Sequence, residues 1–297
     1  MRGRLLFGGL AIVALLSSLP LKAQLQRPLT PIPANGLRVT PHFDGWHPNP
    51  DGSVTLSFAY LNLNKTEVVE IPLGPDNFIE PKEFDGRQPT SFPPVPADEP
   101  GAGAGSPTPD ARHRARGVFT VTVPKGFKGD VVWTLRNRGQ TFKVPGRSKS
   151  PAYQLSWKMA MGSTPPLLRF QPDGPAGRGP TGIEGDPLQA SVGVPLPLSV
   201  YLTDESVREK PPVVLKAQAK AKMNATWTKY AGPGPVAFRP PREPVANTQG
   251  KASTSATFTE PGEYVIRVRG DNFGEIDSMQ GDQCCWTNGY IKVTVRR

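Results

Sequence analysis

The sequence predicts an all-β protein of two β-sandwich domains joined by Pro/Gly-rich linkers. Three observations predict this. The 297 residues include 36 Pro and 31 Gly; Pro removes a helix hydrogen bond and Gly costs backbone entropy, which argues against long helices. Short runs alternate β-branched or aromatic residues with small polar ones, the period of a strand. Turn signals such as Pro50-Asp51-Gly52 and Pro261-Gly262 separate the runs.

The N-terminus reads as an export signal. Arg2 and Arg4 precede an apolar run, Leu5 to Leu19, and Pro20-Leu21-Lys22-Ala23 follows. Residues 1–23 are read as a signal peptide cut after Ala23, because the apolar run falls short of the ~18–20 residues a spanning helix needs. No Cys lies near the cut, which argues against lipid attachment there, and no later segment is apolar enough to span a membrane. The expectation is a periplasmic or secreted protein with no membrane span after cleavage. About 270 residues then remain, enough for two domains of roughly 100–130 residues each.

Residues 24–36 form a Pro-containing flexible leader. The first domain is predicted over 37–157. Val54, Leu56, Phe58 and Tyr60 alternate with Thr55, Ser57 and Ala59, a half-buried strand with the first set facing the core. Val68-Val69 with Ile71, Val118 to Val123, Val131 to Leu135, and Thr141 to Val144 supply further strands, the last two joined by a hairpin at Asn137-Arg138-Gly139. Tyr153 to Leu155 closes the sheet. Residues 74–116 interrupt the pattern, and 93–113, with Gly-Ala-Gly-Ala-Gly and several prolines, read as a disordered loop that cannot bury enough apolar surface to offset its ordering entropy. Residues 158–188, marked by Pro165-Pro166, Gly174-Pro175 and Gly179-Pro180, read as the interdomain linker.

The second domain is predicted over 189–297. Strands are expected at Leu198 to Asp204, Met223 to Tyr230, Pro235 to Phe238, Ser255 to Phe258, Tyr264 to Asp271 and Tyr290 to Val295. Trp227, Gly232-Pro233-Gly234 and Phe238, followed by Thr257-Phe258, Pro261-Gly262 and Tyr264 to Asp271, resemble immunoglobulin-like domains of the polycystic-kidney-disease (PKD) type. That resemblance implies a core Trp227 on the third strand, a tyrosine corner at Tyr264, and Ile266 where antibody domains carry a disulfide Cys. It covers about the last hundred residues and is nearly silent on function. The whole chain also resembles exported bacterial proteins with no assigned activity.

Two connections exceed what joining strands requires. Thr203–Lys222 carries Arg208, Lys210, Lys216, Lys220 and Lys222 against Asp204, Glu205 and Glu209, whereas Gly270–Gly289 carries Asp271, Glu275, Asp277 and Asp282 with no base. In such a sandwich both emerge at one end. The candidate binding surface is therefore Lys216, Lys220, Lys222, Asp277 and Asp282 around Cys284, Cys285 and Trp286. Cys284 and Cys285 are the only cysteines. A vicinal bridge between them is strained, since adjacent Cα atoms lie about 3.8 Å apart, below the usual range of about 4.4–6.8 Å. It needs a loop, and would make a rigid knuckle presenting Trp286. Reduced thiols and an intermolecular bridge stay open. Asp204 and Asp271 end strands at this pole and are candidate Ca²⁺ ligands, with turn-forming roles as the alternative. No other cofactor is expected.

Elsewhere the chemistry is sparse. His42 and His47 flank Asp44, and Met159 and Met161 lie near the linker, without a metal-ligand spacing. Gly-x-Ser-x-Gly, His-Glu-x-x-His and phosphate-binding Gly loops are absent from the sequence. Asn64-Lys65-Thr66 and Asn224-Ala225-Thr226 fit the glycosylation sequon. The formal charge is +10, or +7 without Arg2, Arg4 and Lys22, but neither basic cluster, 112–116 or Lys216/Lys220/Lys222, interleaves with aromatics. That argues against nucleic acid. The functional expectation is a non-enzymatic interaction protein binding an extracytoplasmic protein or polysaccharide through the loop end of the second domain. The alternatives are an extracytoplasmic hydrolase or its accessory subunit, and a structural spacer.

Overall fold

The computed structural model describes residues 33–95, 114–148, 151–155, 162–207, 223–272 and 285–297. Ala34–Arg297 forms one compact unit. The architecture is all-β; the helical turns among the described residues are two 3-10 turns, Lys82–Phe84 and Pro151–Tyr153. No helix among them is long and apolar enough to cross a membrane. The proposed signal peptide, the 96–113 part of the predicted loop, and Met159 and Met161 lie outside the described residues.

The first sandwich comprises β1 (Val39–Pro48), β2 (Val54–Asn62), β3 (Val69–Glu70), β4 (Asn77–Glu80), β5 (Ser91–Phe92), β6 (Arg114–Val123), β7 (Val131–Asn137) and β8 (Gln140–Gly146). Sheet β1-β2-β6 faces sheet β4-β7-β8, and β3-β5 form a ribbon. Phe58 stacks on Phe119 at 5.0 Å, and Trp133 meets Phe119 edge-on at 4.9 Å. Leu56, Phe58 and Tyr60 are buried as the alternation predicts, but Thr55, Ser57 and Ala59 are buried too. β2 is therefore not half-buried: it is the middle strand of its sheet, and the small side chains of its second face admit close cover. The β7–β8 hairpin turns through Arg138 (φ 51°) and Gly139 (φ 70°), the left-handed pair that a type I′ turn needs.

The region 74–95 is not an interruption but part of the core. Asn77, fully buried, opens β4: its Nδ2 donates to Ile71 O at 2.9 Å and Pro89 O at 2.7 Å, and its Oδ1 accepts from Trp133 Nε1 at 3.0 Å. A polar side chain thus does the work that hydrophobic alternation would signal elsewhere. It satisfies the backbone of an irregular segment that would otherwise be costly to bury.

The second sandwich comprises β9 (Leu167–Arg169), β10 (Ile183–Glu184), β11 (Leu188–Ser191), β12 (Leu196–Thr203), β13 (Met223–Ala231), β14 (Val236–Arg239), β15 (Arg242–Val245), β16 (Gln249–Phe258), β17 (Gly262–Asp271) and β18 (Trp286–Arg296). One sheet runs β14-β16-β12-β9; the other runs β10-β18-β17-β13-β15, with β11 also parallel to β18. β13-β17-β18 against β12-β16-β14 is the strand partition of an immunoglobulin-like sandwich. Trp227 is buried in its core. The Tyr264 hydroxyl donates to Glu260 O at 2.9 Å and accepts from Gly234 N–H at 3.1 Å, a tyrosine corner. Gly232 makes room for that ring, because a Cβ there would lie 2.2 Å from Tyr264 Cδ1. β9 and β10 correct the linker reading of 158–188: short edge strands framed by Pro and Gly lack an alternation long enough to be seen, yet they pair with β12 and β18.

The β13-β17-β18 sheet does not turn its second face to water. The first sandwich docks on it through a bulge in β6, where the register slips between Phe58↔Phe119 and Tyr60↔Ala115. The bulge aims three successive carbonyls at the sheet. Arg267 Nη2 donates to Arg116 O at 3.1 Å and Gly117 O at 2.9 Å; Asn288 Nδ2 donates to Gly117 O at 2.7 Å; Tyr290 Oη donates to Val118 O at 3.0 Å. Gly117 N–H donates to Asp44, which also accepts from Arg114 Nε at 3.0 Å. Burial pulls the Arg267 guanidinium below its ordinary pKa, against the opposing pull of Tyr290, and the carbonyl dipoles support the charge that remains. Directional bonds of this kind fix orientation as well as affinity.

Candidate binding surface

The two long loops of the second sandwich spring from one pole. β12 ends at Thr203 and β17 at Asp271; β13 starts at Met223 and β18 at Trp286. The described bases of both loops meet at Thr164. Thr164 N–H donates to Ser206 Oγ at 2.9 Å, and Asn272 Nδ2 donates to Thr164 O at 3.1 Å. Ser206 is itself held by Asp204, whose Oδ1 accepts from Ser206 N at 3.1 Å. Arg178 pairs with Glu205, and its Nη1 donates to Thr164 Oγ1 at 3.1 Å. Segment 164–179 is therefore a strap across both loop bases, which the linker reading left out.

Lys216, Lys220, Lys222, Asp277, Asp282 and Cys284 lie outside the described residues. Cys285 and Trp286 are placed, and both are buried. The exposed knuckle presenting Trp286 is thus corrected. β18 begins at Trp286, and strand periodicity puts Trp286, Asn288 and Tyr290 on the same face, toward the first sandwich. The indole packs with Leu155 and lies so close to Gly117 that a Cβ there would sit 1.8 Å from its Nε1. It plugs the junction.

Of the two calcium candidates, Asp271 pairs with Arg269 at 3.0 Å, and Asp204 serves Ser206. Among the described residues no three His, Cys, Asp or Glu side chains gather into a metal-binding group. His47 is held below its ordinary pKa by burial. The sequon residues Asn64 and Asn224 are buried, with Asn64 Nδ2 spent on Leu37 O at 2.9 Å. A buried, bonded amide is a poor glycosylation acceptor.

Among the described residues, two clefts lie at the junction. The first, ≈ 420 Å³, has Tyr230 and Tyr290 among its lining residues, their rings edge-to-face at 5.4 Å. Arg87 and Thr120 line it from the first sandwich, and Glu184 and Lys292 from the second. Burial pushes the Tyr290 hydroxyl up to about 12 and the Tyr230 hydroxyl well above its ordinary value. Both hydroxyls already donate to carbonyls, Val118 O and Arg87 O. They serve as fixed donors, not as proton shuttles. The second cleft, ≈ 410 Å³, is walled by Pro93, Pro94, Pro233, Pro235 and Pro241, with the Lys229–Glu70 ion pair at 2.9 Å.

No protein-family model matches the chain, and no curated protein matches it in sequence. Among solved structures it is similar to domains 4 and 5 of the S-layer protein SbsC, at 11% identity over 57% of this chain and 66% of that one, with a TM-score of 0.24. The chain thus spans just under two thirds of that fragment. It is similar to the D00–D0 domain of intimin at 8% identity over 86% of this chain and 100% of that one, TM-score 0.25. It is similar to WR4, a C. elegans MSP family member, at 10% identity over 36% and 92%, TM-score 0.22. At these scores the likenesses carry no functional argument, and the immunoglobulin-like assignment rests on the strand partition.

Proposed function

We propose that the protein is an exported, non-enzymatic interaction protein that binds an extracytoplasmic protein or polysaccharide through the loop end of its second sandwich. The observation that carries the reading is the shared tether: Ser206 and Asn272, at the bases of the two long loops, both bond to Thr164. Loops held at the base by one strap act as one surface, and loops on a rigid scaffold are where binding residues concentrate. The basic composition of one loop and the acidic composition of the other favour contact between them, worth only about 0–1 kcal/mol per exposed pair. A Cys284–Cys285 bridge belongs to the proposal. What supports it is that no free cysteine occurs among the described residues. It closes almost no loop and so contributes shape more than stability. The test replaces 208–222 and, separately, 273–284 by short Gly-Ser turns, then compares binding to a polysaccharide array and to immobilised envelope proteins. A ligand retained by the intact chain and lost on either replacement, with unfolding unchanged, supports the reading. If no ligand of the intact chain is lost on either replacement, the reading is contradicted.

A further inference from the structure

We infer that the tyrosine-lined cleft at the junction of the two sandwiches is a second binding site, for a uronate residue of an acidic saccharide. Its volume of ≈ 420 Å³ is in the range of small-ligand sites. Its chemistry is mixed in a way that selects a ligand class. Arg87 and Lys292 supply two cations against one carboxylate, Glu184. Arg87 has no ion pair among the described residues, whereas Lys292 reaches Glu184 at 3.5 Å. The guanidinium fork suits a planar carboxylate, which it can bind with two parallel bonds. Glu184 suits a hydroxyl donor, and it disfavours a ligand carrying charge alone. Thr120 and Thr181 line the same cleft, and each can donate to or accept from a sugar hydroxyl. Tyr230 and Tyr290 supply aromatic surface for the apolar face of a pyranose ring, and their rings cannot swing away because both hydroxyls are tied to the first sandwich. A carboxylate, several hydroxyls and one apolar face together describe a uronate. The cleft needs both sandwiches, so docking the first on the β13-β17-β18 sheet creates it.

The experiment is calorimetric titration of the full chain at low salt with trigalacturonate, its methyl ester, maltotriose and inorganic phosphate. The inference expects trigalacturonate to bind, and the ester, which keeps the shape and loses the charge, to bind at least about tenfold more weakly. Arg87→Ala and Lys292→Ala each weaken trigalacturonate by a similar factor. Both residues are exposed, so these variants fold. The chain with shortened loops binds trigalacturonate like the intact chain. The inference is overturned if trigalacturonate fails to bind, if ester, maltotriose or phosphate binds as well as the acid, or if Arg87→Ala leaves binding unchanged. Loss of trigalacturonate on loop shortening alone would move the acidic saccharide to the loop pole; it would overturn this site and leave the proposed function standing.

Discussion

Replacing Gly117 by Ala tests how the two sandwiches are joined. Gly117 has φ +55°, and an added Cβ would lie 1.8 Å from Trp286 Nε1 and 2.0 Å from Cε2. Two costs combine. A non-glycine residue held in the left-handed region costs about 1–2 kcal/mol. Forcing the buried indole aside in a packed junction costs a further ~1–3 kcal/mol. The Gly117 carbonyl also serves Arg267 and Asn288, and its N–H serves Asp44, so the backbone cannot shift to make room without disturbing those bonds. The expected loss is about 2–5 kcal/mol in urea unfolding monitored by tryptophan fluorescence. A loss below about 1 kcal/mol would refute the close packing of Trp286 on the β6 bulge and the junction built around it.

Three further outcomes follow from the packing. Trp227→Ala loses about 3–5 kcal/mol by the same assay, the usual effect of truncating a buried aromatic; a loss under ~1 kcal/mol would mean the indole is not in the core. Tyr264→Phe keeps the ring and removes the hydroxyl that bridges Glu260 O and Gly234 N–H, losing roughly 1–3 kcal/mol; an unchanged midpoint would show that the corner contributes nothing. Asp85→Asn has a pH signature. Burial raises the Asp85 carboxyl, but donors from Lys82, Gln88 and the Ile79 N–H more than offset it and hold it at about 2. A carboxyl depressed in the folded state contributes stability above its unfolded pKa near ~3.9 and loses that contribution as pH falls toward 2. The variant should therefore be less stable than the parent at pH 6 and converge with it by pH 2 in pH-resolved unfolding. A gap that stays constant with pH would contradict the assignment.

The strands with long alternations were legible because burial on one face writes itself into every second residue: Leu56, Phe58 and Tyr60, or Tyr264, Ile266 and Val268. The tyrosine corner was legible because Pro261-Gly262 fixes the strand start two residues before the ring. What stayed hidden was short or held by polar groups. β9 and β10 lend Leu168 and Ile183 to the core from edge strands of three and two residues, too short to show a period, and β4 is anchored by Asn77, a polar side chain that hydrophobic period cannot reveal. The docking face of the β13-β17-β18 sheet was hidden for the same reason. Arg267, Arg269, Asn288 and Tyr290 are polar, and burial of a cation against carbonyls has no compositional mark. Trp286 was misplaced because a tryptophan after two cysteines suggests a loop, whereas it is the first residue of β18. At the candidate site, the shared pole of the two loops was implied by the resemblance to immunoglobulin-like domains, and the Thr164 strap was not legible, because backbone and serine contacts leave no pattern in a Pro/Gly-rich segment.

The most direct measurement is hydrogen–deuterium exchange of the intact chain, with and without an uncharged polysaccharide or an envelope protein that it retains. The proposed function predicts that protection on binding concentrates in peptides covering 204–222 and 272–285, while the first sandwich and the β9–β11 edge exchange as in the free protein. Protection confined to the first sandwich, with both loops of the second exchanging unchanged, would contradict it.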